Sequence, residues 1–540
     1  MFPRWILFVI AAAGILIAAL KGTDVIGDRG IANPLTILIV VLVLAVVLVW
    51  FTFFSRAARR WRLVVGGTTL AAVATFFAIF RVDGINGELF PRFAFRGSQK
   101  PDQLLPPAEA GQGNAARPLV DLRTTTEYDF PQFLGKDRNL LVDNVVLARN
   151  WAGRAFKPVW RHAIGAGWSS FAVVNGHAVT MEQRGEQELV TCYSVRSGEL
   201  EWVNAIQVRY DLISGGVGPR STPTIDDGLV YSVSATGRLQ CLDGATGARR
   251  WERNLLEDYH ITVADEKSNL PWGQSASPLV VGDLVIVPAG GPSGGPFVSL
   301  LAMDKKTGKT VWEGGDRQIS YSSPAVAILG GVRQVLIVDE AHVTGHDLKS
   351  GKVLWEHAWP GHSNSSASVS QAVPVAPDRI FLSKAYGTGA ALLKLVPGGE
   401  GGFDAEVVWA NPKVMKTKFS NVAVKDGFVY GLSDGVLECV DLADGRQKWR
   451  EGRYPQGQIL RVGDLILVLT ESGEVVLVEA SPERANHVLG RFQAIEGQTW
   501  NNFALYGPYL LVRNALEAAC YDLPQAQPQT GGKKCARARR

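Results

Sequence analysis

A short phrase that recurs five times constrains the fold of this chain more than any other feature. Each copy starts at a small or apolar residue, continues into a turn that contains Gly, and ends at a Trp four residues after that Gly. The copies are Cys192–Trp202, Cys241–Trp251, Ala302–Trp312, Gly345–Trp355 and Cys439–Trp449. Two extended segments joined by a polar turn with Gly predict a β-hairpin. A hairpin repeated every few tens of residues is typical of a propeller or a solenoid, and the all-β pattern favours the propeller.

The spacing of the aromatic residue that ends each phrase predicts the number of blades. These residues are Trp160, Trp202, Trp251, Trp312, Trp355, Trp409, Trp449 and, in the same role, Phe492. Their spacing of 40 to 61 residues suits four short strands with their loops. Eight such positions predict an all-β eight-bladed β-propeller, which follows an N-terminal region of three transmembrane helices.

The two ends of the repeat pattern are complementary. Cys520–Leu523 has the first half of the phrase without the Trp, and the segment around Trp160 has the Trp without a preceding hairpin. We predict that the two halves form one blade and close the ring. Closure removes the exposed sheet edges that promote aggregation.

The phrase is similar to the Ala-x-Asp-x-x-Thr-Gly-x-x-x-Trp signature of the PQQ-like propeller family, and the resemblance covers roughly Tyr128–Leu523. Asp129–Asn139 also resembles the strand that begins the propeller in bacterial PQQ-like proteins. This family includes quinoprotein alcohol and glucose dehydrogenases, as well as non-enzymatic members such as the periplasmic lipoprotein of the outer-membrane barrel-assembly machinery. The resemblance implies the fold and leaves the function open, because the Trp and Gly of the signature are structural.

Three stretches without charge precede the propeller: Trp5–Leu20, Leu35–Phe54 and Leu63–Phe80. Their apolar character predicts three membrane-spanning helices, hence a lipid bilayer as a partner. The first stretch is short and follows Arg4, so a cleaved signal peptide is the alternative there. Two further spans make a separate export signal unnecessary.

Four arginines between the second and third spans predict the orientation: Arg56, Arg59, Arg60 and Arg62. The positive-inside rule places this loop in the cytoplasm. The propeller then lies in the periplasm or outside the cell, on a multi-pass protein of the inner (cytoplasmic) membrane.

The predicted domains are a membrane region at 1–90, with spans at about 5–20, 35–54 and 63–80, a linker at 91–127, a propeller at 128–524 and a basic disordered tail at 525–540. The linker is rich in Pro, Gly, Gln and Ala, and the tail is either solvated or in contact with anionic lipid. The net charge of +4 over 540 residues is small, so we expect no nucleic-acid partner.

Four cysteines occupy the same position of the repeat: Cys192, Cys241, Cys439 and Cys520. Equivalent positions on separate blades are too far apart for a disulfide. We predict buried free thiols that behave as small apolar side chains. Cys535 lies alone in the tail.

The candidate ligand site is the mouth of the central channel. The innermost strand of each blade lines that channel, and the segments just before these strands are rich in Ser, Thr, Asn and aromatic residues. Such side chains suit a flat ligand or a sugar. The predicted ligand-binding residues are Trp168, Arg220, Trp272, Tyr321, His362, Lys418, Asn421, Trp500 and Asn501. The alternative is that Ser and Pro here only end loops and begin strands.

The family resemblance also implies what a dehydrogenase would need. Quinoprotein dehydrogenases hold PQQ beside a Trp, bind Ca²⁺ through Glu, Asn and Asp, use an Asp as base and, in the alcohol-oxidising branch, carry a disulfide of adjacent cysteines. This sequence has no Cys-Cys pair, and its channel segments contain almost no carboxylate. The acidic residues near enough to reach the rim are Asp211, Glu257, Asp258, Asp265 and Glu266. We therefore predict no catalytic residue and no metal ligand.

Two functions from different classes follow. The first is a membrane-tethered binding or scaffold module with a protein or saccharide partner on the propeller. The second is a membrane-bound PQQ-dependent sugar or alcohol dehydrogenase that uses PQQ and Ca²⁺ and passes electrons to quinone. Sensing of a polymer or of the cell wall is a third reading of the same features.

Overall fold

The computed structural model describes residues 3–22, 29–108 and 119–526. Three N-terminal helices span Arg4–Gly22, Arg29–Val49 and Arg59–Ile79, and a π-helical turn at Trp50–Phe54 extends the second. All three are long and apolar enough to cross a membrane. Their large apolar side chains are exposed in the protein itself, which is the pattern expected of a lipid-facing surface. The third helix ends at Ile79, and Phe80 begins a strand.

A β-hairpin continues directly from the third helix. Its strands are Phe80–Ile85 and Pro91–Phe95. The side-chain oxygen of Asn86 accepts hydrogen bonds from the backbone N–H groups of Glu88 (3.1 Å) and Phe90 (2.8 Å) and so fixes the tip. The hairpin extends across the predicted domain limit at residue 90. A short helix at Pro101–Leu104 follows, and residues 109–118 of the predicted linker lie outside the described residues.

Eight blades, each with four antiparallel strands, form the propeller, as predicted, and a fifth, parallel strand joins the sheet of blade 7. The second and third strands of the blades are buried along most of their length, because each blade packs between two neighbours. Blade 1 comprises Ala172–Val174, His177–Arg184, Gln187–Ser194 and Leu200–Ile206, and blade 2 comprises Thr224–Asp226, Leu229–Val233, Arg238–Asp243 and Arg249–Asn254. Blade 3 comprises Leu279–Val281, Leu284–Val287, Leu300–Asp304 and Thr310–Gly314, and blade 4 comprises Ala325–Leu329, Val332–Val338, His342–Asp347 and Val353–Ala358.

Blades 5 to 8 complete the ring. Blade 5 comprises Val373–Ala376, Arg379–Lys384, Gly389–Pro397 and Phe403–Asn411, and blade 6 comprises Ala423–Lys425, Phe428–Ser433, Val436–Asp441 and Gln447–Arg453. Blade 7 comprises Gln458–Val462, Leu465–Leu469, Glu474–Glu479 and Val488–Gln493, and blade 8 comprises Ala504–Tyr506, Tyr509–Arg513, Glu517–Asp522 and Pro158–Ala163. Helices at Leu255–Asp258 and Val263–Asn269 lie in the connection from blade 2 to blade 3.

Blade 8 closes the ring in the predicted way. The strand Glu517–Asp522 pairs with Pro158–Ala163, and Cys520 lies opposite Trp160 in that pairing. The Cys–Trp pair that occurs within one phrase in blade 1, Cys192 opposite Trp202, is thus formed here by two distant segments. The repeat phrase predicted this because half of it lies at each end of the propeller.

The Gly and Trp of the phrase hold neighbouring blades together. The indole N–H of Trp202 in blade 1 donates to the carbonyl of Gly244 in blade 2 at 2.9 Å. A Cβ on Gly247, whose φ is +73°, would lie 2.6 Å from the Trp202 ring, so the turn needs Gly for its backbone and for the ring above it. The same Trp–Gly contact joins Trp160 to Gly198, Trp251 to Gly308, Trp312 to Gly351 and Trp409 to Gly445.

The segment Asp129–Asn139 is not a blade strand, and that expectation was wrong. Leu134 and Gly135 both have positive φ, which interrupts the extended run and produces turns. The segment instead crosses the ring at the end away from the hairpin. The backbone of Phe130 bonds to Val173 of blade 1, and the buried Arg138 donates to the carbonyls just before blade 3. Leu141–Val142 then pairs in parallel with blade 7.

The four cysteines of the repeat are free and buried, as predicted: Cys192, Cys241, Cys439 and Cys520. Each lies in the third strand of its blade with its side chain in the apolar layer between blades. Cys535 and the basic tail from residue 527 onward lie outside the described residues.

Candidate functional site: the mouth of the propeller channel

A cavity of about 360 Å³ lies at the mouth of the central channel. Its walls are the segments that precede the first strand of each blade, and Phe133 of the crossing segment contributes from the far end. The hairpin tip covers it through Ile85, Asn86, Gly87 and Leu89, and Gly30 of the second helix also lines it. The volume is that of a typical small-molecule pocket. The mouth therefore faces the helical region.

Seven of the nine predicted ligand-binding residues line this cavity: Trp168, Arg220, Trp272, Tyr321, Lys418, Asn421 and Trp500. His362 does not line it, because its loop turns outward and its exposed imidazole lies 3.6 Å from the Glu340 carboxylate. Asn501 is fully buried behind the wall, where its amide donates to the carbonyls of Gly167 and Ser169. The structure thus brings most of the set together, and ligand binding by it stays a prediction.

The aromatic side chains form two groups on the cavity wall. The ring centroids of Trp168 and Trp500 are 4.9 Å apart, and Phe419 lies 5.5 Å from Trp500. Trp272 and Tyr321 form the second group at 5.3 Å. None of these pairs is parallel, with interplanar angles between 41° and 48°. The rings therefore present both faces and edges to the cavity.

Hydrogen bonds fix the orientation of the three indole rings. Trp168 donates its N–H to the carbonyl of Gly215 at 2.7 Å, and Trp500 donates to the Glu471 carboxylate at 2.8 Å. Trp272 donates to the hydroxyl of Ser214 at 3.3 Å. Rings held in this way lose little further conformational entropy on binding a ligand.

The charged residues on the cavity wall are both cations, Arg220 and Lys418. Arg220 donates to the carbonyls of Gly215 (2.8 Å), Gly216 and Gly218, and its guanidinium lies 4.4 Å from the centre of the Tyr210 ring. Burial lowers the pKa of Arg220, although a guanidinium still remains charged at neutral pH. Lys418 is buried and lies 3.0 Å from the Asp434 carboxylate. The wall thus offers positive charge beside aromatic surface.

The hairpin tip is bonded to the propeller and to the helices. The backbone N–H of Gly87 donates to the Glu471 carboxylate at 2.6 Å, and Gln498 donates to the Ile85 carbonyl at 3.1 Å. Arg453 pairs with Glu88 at 2.5 Å, and the Asn33 amide donates to the Glu88 carbonyl at 2.8 Å. Glu471 is partly buried, and the resulting desolvation raises the pKa of its carboxyl group.

Sequence reasoning missed the hairpin tip as part of the site. A signal for it exists, since Asn-Gly at 86–87 follows a run that includes Phe80, Val82 and Ile85, and Asn-Gly is the strongest local signal for a hairpin. The tip also leaves no room for a larger residue. A Cβ on Gly87 would lie 2.1 Å from the side chain of Gln456.

The wall does not fit PQQ held by Ca²⁺. No carboxylate lines the cavity among the described residues, whereas a hard cation of this size needs several oxygen ligands. Two acids lie directly behind the wall: Glu471 already accepts hydrogen bonds from Gly87, Trp500 and Gln498, and Asp434 is paired with Lys418. The acidic residues expected at the rim do not line the cavity either: Asp211, Glu257, Asp258, Asp265 and Glu266.

Three of these rim acids have other partners. Asp211 pairs with Lys100 at 2.5 Å and with Arg209 at 3.1 Å. Asp258 pairs with Arg253, and Asp265 caps the helix Val263–Asn269 through Thr262. The Asp211 carboxylate thus serves the connection between blades 1 and 2, and those of Asp258 and Asp265 serve the connection between blades 2 and 3.

Comparison with known proteins agrees with the architecture. The model of the PQQ-like repeat family described as "Outer membrane protein assembly factor BamB" matches residues 157–289 and 186–451, which is more than half of the chain. The chain belongs to this PQQ-like family. The matched residues contain all five copies of the repeat phrase, so the membership rests on the same residues that form the blades.

Relatives of this PQQ-like protein include both an assembly factor and an enzyme subunit. The chain is 24% identical over 268 residues to the outer membrane protein assembly factor BamB of Yersinia pestis, covering 47% of this chain and 60% of that protein. It is 26% identical over 284 residues to the dehydrogenase subunit of the quinone alcohol dehydrogenase of Acetobacter aceti, covering 48% of this chain and 32% of the subunit. The alignments thus cover less than two thirds of either relative.

A solved structure shares the propeller fold. The quinohemoprotein alcohol dehydrogenase ADHIIG of Pseudomonas putida HK5 superimposes with a TM-score of 0.53 at 13% identity, over 78% of this chain and 84% of that one. At this identity the similarity establishes the fold of the PQQ-like propeller alone.

Proposed function

We propose that this protein is a membrane-tethered, extracytoplasmic binding module whose channel mouth holds a partner without oxidising it. The observation that carries the proposal is the cavity itself, in which seven residues from six blades place aromatic rings and two cations around one space. Shallow apolar pockets with a few oriented polar groups are the usual form of a ligand site. The partner is a segment of a protein or a saccharide chain, since both offer flat or extended groups to aromatic rings.

Several features support this role and this location. The three helices suit a multi-pass protein of the cytoplasmic membrane, and four arginines in the loop between the second and third helices favour a cytoplasmic position for that loop. The propeller then lies on the opposite side, in the periplasm or outside the cell. One relative, the Yersinia protein, is named an assembly factor, which agrees with a role in binding other proteins.

A membrane-bound quinoprotein dehydrogenase is the second candidate, because another relative and a structural neighbour are quinone-dependent alcohol dehydrogenases. In such an enzyme PQQ would accept electrons from a sugar or alcohol and pass them to a second quinone, dissolved in the bilayer. The donor set of the cavity argues against it, since no described carboxylate on the wall is placed to hold Ca²⁺ or to remove a proton.

The first test separates the two candidates with PQQ and Ca²⁺ as probes. We expect the purified full chain in detergent to take up no PQQ with Ca²⁺ and to reduce no redox dye with a panel of sugars and alcohols. Calcium-dependent uptake with dye reduction, lost on Trp272→Ala, would replace the binding module by the dehydrogenase.

The second test concerns the partner. Chains with a photo-crosslinking amino acid at Asn364, an exposed residue of the cavity wall, are irradiated in cells, and the linked product is identified by mass spectrometry. We expect one product that Trp168→Ala or Trp500→Ala reduces at least fivefold. The matched control is Tyr128→Ala, an exposed aromatic residue at the opposite end of the ring. Equal products from all these variants would contradict binding at the mouth.

A further inference from the structure

A second group of chemically distinct side chains lies away from the channel mouth, in blade 1. His177, Cys192 and Glu201 come from the second, third and fourth strands of that blade and meet on one face of the sheet. One ligand atom from each residue lies within 4.8 Å of the other two. Among the described residues this is the one trio of His, Cys, Asp or Glu with such a geometry.

Hydrogen bonds already connect the three groups. The imidazole Nδ1 of His177 lies 2.9 and 2.7 Å from the two carboxylate oxygens of Glu201, and the Cys192 thiol donates to the same carboxylate at 3.4 Å. His177 and Glu201 are partly exposed, with 22% and 20% of their side chains accessible, while Cys192 is buried. The group is therefore reachable from solvent on one side.

The dimensions suit a tetrahedral zinc ion. Zinc binds His nitrogen and carboxylate oxygen at about 2.0–2.2 Å and Cys sulfur at about 2.3 Å, which places pairs of ligand atoms about 3.3–3.6 Å apart. The observed Sγ–oxygen distance is 3.4 Å, and the imidazole–carboxylate pair needs to open by less than about 1 Å from its 2.7 Å hydrogen bond. Rotation of the partly exposed His177 and Glu201 side chains is sufficient for this change.

We propose that His177, Cys192 and Glu201 form a zinc site with a water molecule in the fourth position. Cys and His select zinc over calcium or magnesium, which prefer oxygen ligands alone. On binding, zinc replaces the thiol proton, and this proton is released to solvent. The ion then links three strands of blade 1. This site is independent of the channel mouth and of the function proposed for it.

Comparison with blade 2 shows that the combination of His, Cys and Glu is not a general property of the repeat. Cys241 occupies the position of Cys192 in blade 2, since each lies opposite the Trp of its phrase. The residues at the positions of His177 and Glu201 are Leu229 and Arg250 there. Blade 2 thus retains the thiol without the other two ligands, and Cys241 provides a matched control.

Burial explains how the thiol behaves without metal. The apolar surroundings of Cys192, followed by the nearby Glu201 charge, raise the pKa of the thiol well above its ordinary value. The metal-free thiol therefore stays protonated and resists oxidation at neutral pH. Zinc uptake is accordingly expected to weaken as the pH falls, because protons compete with zinc for the Cys192 sulfur.

The test uses the full chain without a histidine tag, purified in detergent, stripped with EDTA and then titrated with Zn²⁺ in a calorimeter. We expect one zinc per chain, confirmed by elemental analysis after desalting. His177→Ala, Cys192→Ala and Glu201→Gln should each weaken binding at least tenfold, whereas Cys241→Ala should leave it unchanged. Melting temperatures without metal identify any variant that fails to fold, and Glu201→Gln changes the shape of the site least.

A spectroscopic measurement identifies the sulfur ligand directly. Co²⁺ added to the stripped protein should give a thiolate-to-cobalt charge-transfer band that is absent from Cys192→Ala and present in Cys241→Ala. The proposal is overturned if the chain binds less than half an equivalent of zinc, if the three variants bind as the wild type does, or if bound cobalt lacks the band.

Discussion

Arg513 provides a strong test of how the ring is closed. It lies in the second strand of blade 8, its side chain is 0% exposed, and its guanidinium donates into blade 1. The acceptors are the Thr180 hydroxyl at 2.8 Å and the carbonyls of Met181 at 2.7 Å and Gly165 at 2.8 Å. Burial lowers the pKa of Arg513 to about 10, so it stays charged at neutral pH.

Glu182 is the buried carboxylate of the same network. It accepts hydrogen bonds from the Tyr193 hydroxyl at 2.7 Å and from the backbone of Gly165. Burial alone would raise the pKa of Glu182, but Arg184 and Arg513 outweigh that effect and hold it below its ordinary value. The two blades are therefore joined by charges that compensate each other within the seam, the interface between blade 8 and blade 1.

Arg513→Met keeps the length of the side chain and removes its charge and all three hydrogen bonds. A hydrogen bond from a charged donor contributes about 1.5–3 kcal/mol, and the substitution removes three of them while relieving the desolvation of the guanidinium, so we expect the free energy of unfolding to fall by about 4 kcal/mol. The urea m-value increases with the size of the domain, and for this propeller we take roughly 4 kcal/mol/M. The urea concentration at the midpoint of unfolding should then decrease by about 1 M. Tryptophan fluorescence of the full chain in detergent measures it.

The control for this experiment is Arg446→Met. The Arg446 side chain is 85% exposed and pairs with Asp444 at the surface. Its substitution should therefore change the free energy of unfolding by no more than about 0.5 kcal/mol. The difference between wild type and Arg513→Met should also shrink below about pH 4.5, because the wild type loses the stability contributed by a depressed Glu182 pKa as the pH falls. A loss of less than about 1 kcal/mol at pH 7 would refute the assignment of the seam to this network.

Three further predictions concern closure, orientation and pH. Deleting 519–540 should abolish cooperative unfolding of the propeller, and deleting 527–540 should not, since only the first removes strand pairing with Trp160; an unchanged melting temperature for the larger deletion would mean that the ring closes differently. Alkaline phosphatase fused after Leu523 should be active and fused at Arg60 inactive, and the reverse pattern would invert the topology. Burial lowers the pKa of His346 from 6.5 to about 4. As the pH falls, this histidine is therefore protonated in the unfolded protein before it is protonated in the folded protein, which favours unfolding. The wild type should therefore lose about 3 kcal/mol between pH 6.5 and pH 4 relative to His346→Gln, and parallel pH profiles of the urea midpoint would contradict this.

The blades could be predicted from the sequence because the information for each one is local. A Gly turn followed by Trp is fixed within a dozen residues, and the contact of Trp202 with Gly247 shows why both residues are needed. The closing blade was also predictable, since Cys520 and Trp160 carry the two halves of one phrase. Because the aromatic position recurs eight times along the chain, the eight-bladed ring can be predicted without knowledge of any long-range contact.

The candidate site was only partly predictable because it depends on how loops turn. Trp168 and Trp500 precede inner strands in sequence and meet at the mouth for that reason. His362 also precedes such a strand, but its loop turns toward Glu340, which no pattern in the sequence specifies. The trio in blade 1 was missed because its members are separated by 15 and 9 residues on three strands, unlike the short spacings of familiar zinc motifs.

The hairpin tip restricts what can approach the channel. Because Gly87 is bonded to Glu471 and Gly30 of the second helix shares the same wall, the axis of the propeller is obstructed on the side nearest the helices. The exposed wall residues Asn364 and Ser365 lie at the opening that remains. A bulky globular surface is too wide for such an approach, whereas a single extended strand or an unbranched glycan is narrow enough. If the mouth binds a partner as proposed, we expect the width of this opening to select the partner before the aromatic rings contact it.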